Sequence, residues 1–321
     1  MGHFETIFGV QYSSANKDLL ASCSYDGTVR VWNSTSMKLL QVNDTNFNSA
    51  QAKLEKKIIY SISWHPTDSK IAMTTVNGNL MVYDALRNKQ LSHVSPVPGE
   101  ASFCCHWNQI DPKLLVMTTA ASAAYVIEVK DYPACKSLEM VKTYPHPNKA
   151  YGCHWDPNKT NEFVTACEDG LLRLFNFSVD TLQPVKTFEG HAKKVYNVVF
   201  SPILPNIFAS GSDDRSIRIW RTDESATPMM AVCGGEGVKN SHTQNVRAIC
   251  FVPEIPFALL SGSWDATIKM WDIRTGNHMW TLTDHASDVY GITLHPKRPF
   301  VFSSCSRDTS IRTFIIDGFI Q

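Results

Sequence analysis

The feature that most constrains this chain is an internal repeat. Gly190-His191-Ala192-Lys193-Lys194-Val195-Tyr196-Asn197-Val198-Val199-Phe200-Ser201 aligns without a gap on Gly2-His3-Phe4-Glu5-Thr6-Ile7-Phe8-Gly9-Val10-Gln11-Tyr12-Ser13. Gly, His, a β-branched residue, an aromatic, Val, a second aromatic and Ser fall in register. The same frame recurs from His146, His242 and His285, and in degraded form from Glu55 and Pro98. Repeats therefore start near residues 2, 54, 97, 145, 190, 241 and 284, with anchors 43 to 52 residues apart. Self-similarity at this period marks an array of supersecondary units that bury their faces against one another.

Within a unit the pattern is all β. Val195–Phe200, Ile207–Gly211 and Ser216–Trp220 are short β-branched and aromatic runs separated by Pro, Asn and Asp clusters, and a weaker run, Pro228–Val232, precedes the next anchor. A four-stranded antiparallel sheet of this size cannot bury its own faces, and radial stacking solves that problem. Seven units predict an all-β fold, a closed seven-bladed β-propeller forming one domain over residues 1–321. A helical period is sustained nowhere except in the insert Ser49–Lys57. Only seven residues follow Phe314, against 21 between Trp220 and His242. The last blade is thus expected to lack its outer strand, and the chain to be a domain taken from a longer protein.

Gly190-His191, Ser210-Gly211-Ser212-Asp213-Asp214 and Ile217-Arg218-Ile219-Trp220 resemble the WD-repeat family signature. So do Leu20–Trp32 and Ser261-Gly262-Ser263-Trp264-Asp265 with Met270-Trp271-Asp272. The resemblance covers the whole chain. It implies a structural hydrogen-bond relay in each blade, from a turn Asp to His to a strand Ser or Thr to the indole of Trp. The matching sets are His3, Ser22, Asp26 and Trp32; His191, Ser210, Asp214 and Trp220; and His242, Ser261, Asp265 and Trp271. Two more carry Phe in place of Trp: His146, Thr165 and Asp169 with Phe175, and His285, Ser304 and Asp308 with Phe314. A catalytic triad is needed once, beside an oxyanion site. Five copies at constant spacing are architecture, so no catalytic residue is assigned and the protein reads as a non-enzyme. Units two and three lose the set, with Glu55, Met73, Asn77 and Tyr83, and Pro98, Met117, Ala121 and Ile127, in its places. Those blades are expected to rest on packing alone and to be the least stable sector.

One residue after the β-branched anchor of each first strand stand Phe8, Tyr60, Phe103, Tyr151, Tyr196, Arg247 and Tyr290. In WD-repeat propellers that bind peptides, this position lines the top mouth of the central channel. An aromatic collar there can grip a cationic or aromatic side chain of a partner. Alternatively the rings plug the channel and pack on one another, with Arg247 satisfying their faces internally. Tyr25, Glu168, Asp213, Trp264 and Arg307, each just before the blade Asp, are expected to be exposed turn tips on the same face. Tyr25, Trp264 and Arg307 join the partner-binding candidates. The inserts Asn43–Lys57 and Cys233–Asn240 open there too.

Composition narrows the functional classes. Thirty Lys+Arg against thirty Asp+Glu give a formal charge of zero, which argues against nucleic acid or anionic lipid as partner. No apolar run approaches the roughly 20 residues of a membrane helix. Nine scattered cysteines without Cys-x-x-Cys spacing read as reduced thiols in an intracellular, cytoplasmic setting, with the nucleus not excluded. No nucleotide-binding glycine pattern or metal-ligand spacing occurs, so no cofactor, metal or small-molecule substrate is expected. The expected function is a protein-interaction scaffold whose partners are other proteins or peptides. The alternative is a reader of a cationic or methylated Lys/Arg peptide.

Overall fold

Each apolar run is short because an Asn-, Asp- or Pro-bearing turn interrupts it, and each pairs with the next run along the chain. The structure, a computed structural model, describes residues 2–44, 58–223 and 229–316. Among the described residues, 27 strands form seven antiparallel sheets, each in sequential strand order. The first strands are Ile7–Tyr12, Ile59–Trp64, Ser102–Trp107, Ala150–Trp155, Val195–Phe200, Val246–Phe251 and Val289–Leu294. Each touches the first strands of the blades on either side, which closes the ring. Six blades have four strands. The seventh has three, ending with Ile311–Ile315. This is the seven-bladed propeller with a shortened last blade that the repeat predicts. The insert helix proposed over Ser49–Lys57, the anchor Glu55, Pro228 and the tail 317–321 lie outside the described residues.

Burial follows position in the blade. The second strands Leu19–Ser24, Leu114–Thr119, Ile207–Ser212 and Ala258–Ser263 are buried at every residue, because a neighbouring blade covers each face. Such strands need apolar or small side chains throughout. At Gly262 an added Cβ would sit 2.5 Å from Val289 Cγ1, so the glycine of Ser261-Gly262-Ser263 is a packing requirement. Outer strands such as Asn277–Leu282 alternate exposed and half-buried residues instead. Trp64, Trp107, Trp155, Trp220 and Trp271 are fully buried. All nine cysteines are unpaired thiols.

The ring is stitched along one seam by the penultimate residue of a first strand. Trp64 donates its backbone N–H to Gln11 Oε1 (3.0 Å), Trp107 to Ser63 Oγ (2.8 Å) and Trp155 to His106 Nδ1 (3.1 Å). Closure between the seventh and first blades uses the same device, Tyr12 N–H to Thr293 Oγ1 at 3.3 Å. The Tyr12 hydroxyl adds a 2.6 Å bond with Ser303 Oγ.

Candidate interaction site at the channel mouth

The turns that frame the mouth are held by the repeated polar set. In the first blade His3 Nδ1 lies 2.8 Å from Asp26 Oδ2, His3 Nε2 lies 2.8 Å from Ser22 Oγ, and Trp32 Nε1 donates to that Oγ at 2.9 Å. His191, Asp214, Ser210 and Trp220 repeat the geometry, as do His242, Asp265, Ser261 and Trp271. In the last blade His285 bridges Asp308 and Ser304, and Phe314 donates nothing. Burial holds all four imidazoles below their ordinary pKa, which favours the neutral ring. A neutral ring beside a carboxylate carries its proton on Nδ1, so three chains run from indole to hydroxyl to imidazole to carboxylate, and the last starts at the Ser304 hydroxyl. Burial pushes the carboxyls of Asp26, Asp214 and Asp265 up, but their His partners, the hydroxyls of Thr28, Ser216 and Thr267 and nearby backbone N–H groups together offset it and hold them below the usual range.

A fifth member was not read from the sequence. Thr28, Ser216, Thr267 and Ser310, two residues after each blade Asp, donate their hydroxyls to its Oδ1 at 2.6 Å. The signal was available as a hydroxyl at a fixed offset from Asp. In the fourth blade that place is Leu171, and here the structure corrects the expectation. Asp169 does not bond His146. Arg173 takes Asp169 through two nitrogens, at 3.3 and 2.6 Å, and His146 Nδ1 turns to the Tyr144 carbonyl at 3.0 Å. Only the link from His146 Nε2 to Thr165 Oγ1, 2.8 Å, remains. In the second and third blades Met73, Tyr83, Met117 and Ile127 fill the vacated space as buried apolar side chains.

The collar has a cause in the backbone. Strand pairing between first and second strands slips by one residue in every blade, and the unpaired residues are Phe8, Tyr60, Phe103, Tyr151, Tyr196, Arg247 and Tyr290. A β-bulge of this kind re-aims one side chain out of the ladder. Seven bulges aim seven side chains at one cavity of about 280 Å³, which Ser61, Cys104 and Asn197 also line. Ring centroids run around it in steps: Phe8 to Tyr60 5.2 Å, Tyr60 to Phe103 5.7 Å, Phe103 to Tyr151 4.8 Å, Tyr151 to Tyr196 4.9 Å. Tyr290 closes the circle 5.2 Å from Phe8. Between Tyr196 and Tyr290 sits the Arg247 guanidinium, 3.6 Å over the first ring and 5.7 Å from the second.

The surrounding turns are less uniformly exposed than their sequence position implies. Tyr25 and Arg307 are exposed, Tyr25 6.4 Å from Phe8. Trp264 is half-buried instead, 5.1 Å from the Arg247 guanidinium and 6.2 Å from Tyr290, so it belongs to the collar rather than to a free tip. Asp213 is drawn in by the Tyr196 hydroxyl at 3.1 Å, and Glu168 by Lys194 at 2.8 Å. Asn43 is buried in the outer strand of the first blade, donating to the Ala85 carbonyl, and residues 45–57 of that insert lie outside the described residues. Among the described residues no cluster of three His, Cys, Asp or Glu side chains is placed to hold a metal ion, and no helix is long and apolar enough to cross a membrane.

Comparison with known sequences agrees with this geometry. The family described as WD domain, G-beta repeat matches residues 1–33, 182–221, 236–272 and 276–314. These stretches hold the anchors, turns and inner strands of the first, fifth, sixth and seventh blades, the four in which Asp, His and Ser are joined. The chain thus carries WD40 repeats in those four blades of its seven-bladed propeller. A guanine nucleotide-binding protein subunit beta from Arabidopsis thaliana is 24% identical over 238 residues, 73% of this chain. The match spans 60% of that relative's length.

Proposed function

We propose that this chain is a non-enzymatic, intracellular protein-interaction scaffold that presents its channel mouth and adjoining turns to a segment of a partner. The observation that carries it is the bulge at every first strand. Seven independent ladders each give up one pairing position to aim a large side chain into one cavity. The matched Arabidopsis protein is by its name a subunit, and the same mode of work, inside an assembly, is the one we assign here. From His3–Phe8, Glu254–Asp265 and Asp288–Asp308 we further infer a likeness to WD repeat-containing protein seventeen, in whose family the propeller is part of a larger scaffold. That likeness supports a role within a longer chain.

The rival reading, a reader of cationic or methylated side chains, has the six rings in its favour and Arg247 against it, since a fixed cation already lies on Tyr196. Affinity capture from cell extract separates surface from packing. A Tyr151→Ala/Tyr290→Ala protein matched to wild type in thermal midpoint is expected to lose a defined set of partners. An unchanged set would show that the rings only plug the channel, and loss on Arg307→Ala alone, at an exposed turn, would place the surface at the turns.

A further inference from the structure

We propose that the mouth selects a carboxylate side chain on the partner and that Arg247 receives it, which rests on the mouth being the interaction surface. The bulge places are otherwise aromatic, so packing alone does not call for a guanidinium there. Its charge is offset by the faces of Tyr196, Trp264 and Tyr290. Ring faces, however, accept nothing from the in-plane N–H groups, of which a guanidinium has five. Among the described residues, no acceptor takes a hydrogen bond from the Arg247 guanidinium and no carboxylate stands within ion-pair distance of it. Arg247 lines the cavity, and its donor capacity is left unspent.

The neighbouring charges point the same way. Asp213 is an acid of this wall, and its charge and that of Arg247 act on each other. It accepts from the Tyr196 hydroxyl through one oxygen, while its Oδ1 is buried without a partner. Lys194 is paired with Glu168. A cationic side chain entering the cavity would meet Arg247 head on, a like-charge contact that interfaces avoid. A Glu side chain would lay its methylenes on the rings and bring its carboxylate to two N–H groups in the fork geometry that guanidinium favours. The cavity, about 280 Å³, has room for one such side chain rather than for a folded element.

The test is fluorine NMR on fluorotryptophan-labelled protein, with the Trp264 resonance assigned by Trp264→Phe. The probes are capped neutral pentapeptides with Glu, Gln or trimethyllysine at the centre of Gly-Ala-Xaa-Ala-Gly. The Glu peptide is expected to move the Trp264 resonance saturably, and Gln to weaken binding by at least about tenfold. Arg247→Gln, checked for an unchanged melt, should abolish the shift, Arg247→Lys should keep part of it, and Asp213→Asn should tighten binding by removing a competing acid. A trimethyllysine peptide that binds as well as Glu overturns the proposal, as does Glu binding that survives Arg247→Gln. If no peptide moves the resonance while partner capture still needs Tyr151 and Tyr290, the acid preference fails and the interaction surface stands. If capture is also indifferent to the collar, both fail.

Discussion

At the scale of single residues, the polar sets work because every donor has an acceptor. Asp214 receives His191 Nδ1, the Ser216 hydroxyl and the Ser216 backbone N–H. Asp214→Ala strands all of them in a site already closed to water. It should remove about 2 kcal/mol and lower the thermal midpoint by about 3–5 °C. Asp169→Ala should leave the His146–Thr165 bond in place, since Asp169 is spent on Arg173. An equal loss of the His146 contact, read from its imidazole NMR shifts, would contradict that. The turn that follows each Asp needs a left-handed residue. Gly27 and Gly170 have φ of 81° and 83°, whereas Ala266 is held at 64°. Ala266→Gly should therefore raise stability by about 0.5–1 kcal/mol, and a lowered midpoint would show that the turn tolerates the side chain without strain.

At the scale of the element, the blade is the unit that was legible in the sequence. Periodic Gly-His anchors, β-branched runs and Asp-bearing turns fix strand order, because each sheet pairs only neighbours in the chain. The collar positions were legible as well, as a column of aromatics at one offset. Their cause was not, since a bulge depends on how two strands register and neither strand shows it alone. The loss of Asp169 to Arg173 was hidden for a similar reason: both residues look ordinary until the turn brings them together. Blades two and three replace the polar set by Met73, Tyr83, Met117 and Ile127, all buried. Packing without the polar lock should leave their turns quicker to open. Hydrogen exchange is expected to be faster at residues 75–79 and 119–123 than at 212–216 and 263–267. Equal protection would show that packing alone holds those turns as firmly.

At the scale of the whole molecule, the ring couples buried histidines to acid stability. Burial holds His65, His146 and His154 down at about 4, against an ordinary 6.5. Below pH 6.5 the unfolded chain binds protons that the folded ring refuses. Stability is full above that point and falls as the pH drops towards 4, by on the order of 3 kcal/mol for His146. The carboxyls of Asp26, Asp214 and Asp265 are depressed, so their contribution is present above the ordinary carboxylate range and is lost only at still lower pH. Urea midpoints should decline steadily between pH 6.5 and 4, and a flat profile would mean that these rings are hydrated when folded. The central claim concerns the mouth, and site-specific photo-crosslinking tests it directly. Benzoylphenylalanine placed at Phe103, inside the collar, should capture a partner in cells, while the same group at Met279 on an outer strand should not. Capture from Met279 with none from Phe103 would put the working surface on the rim of the propeller and contradict the account.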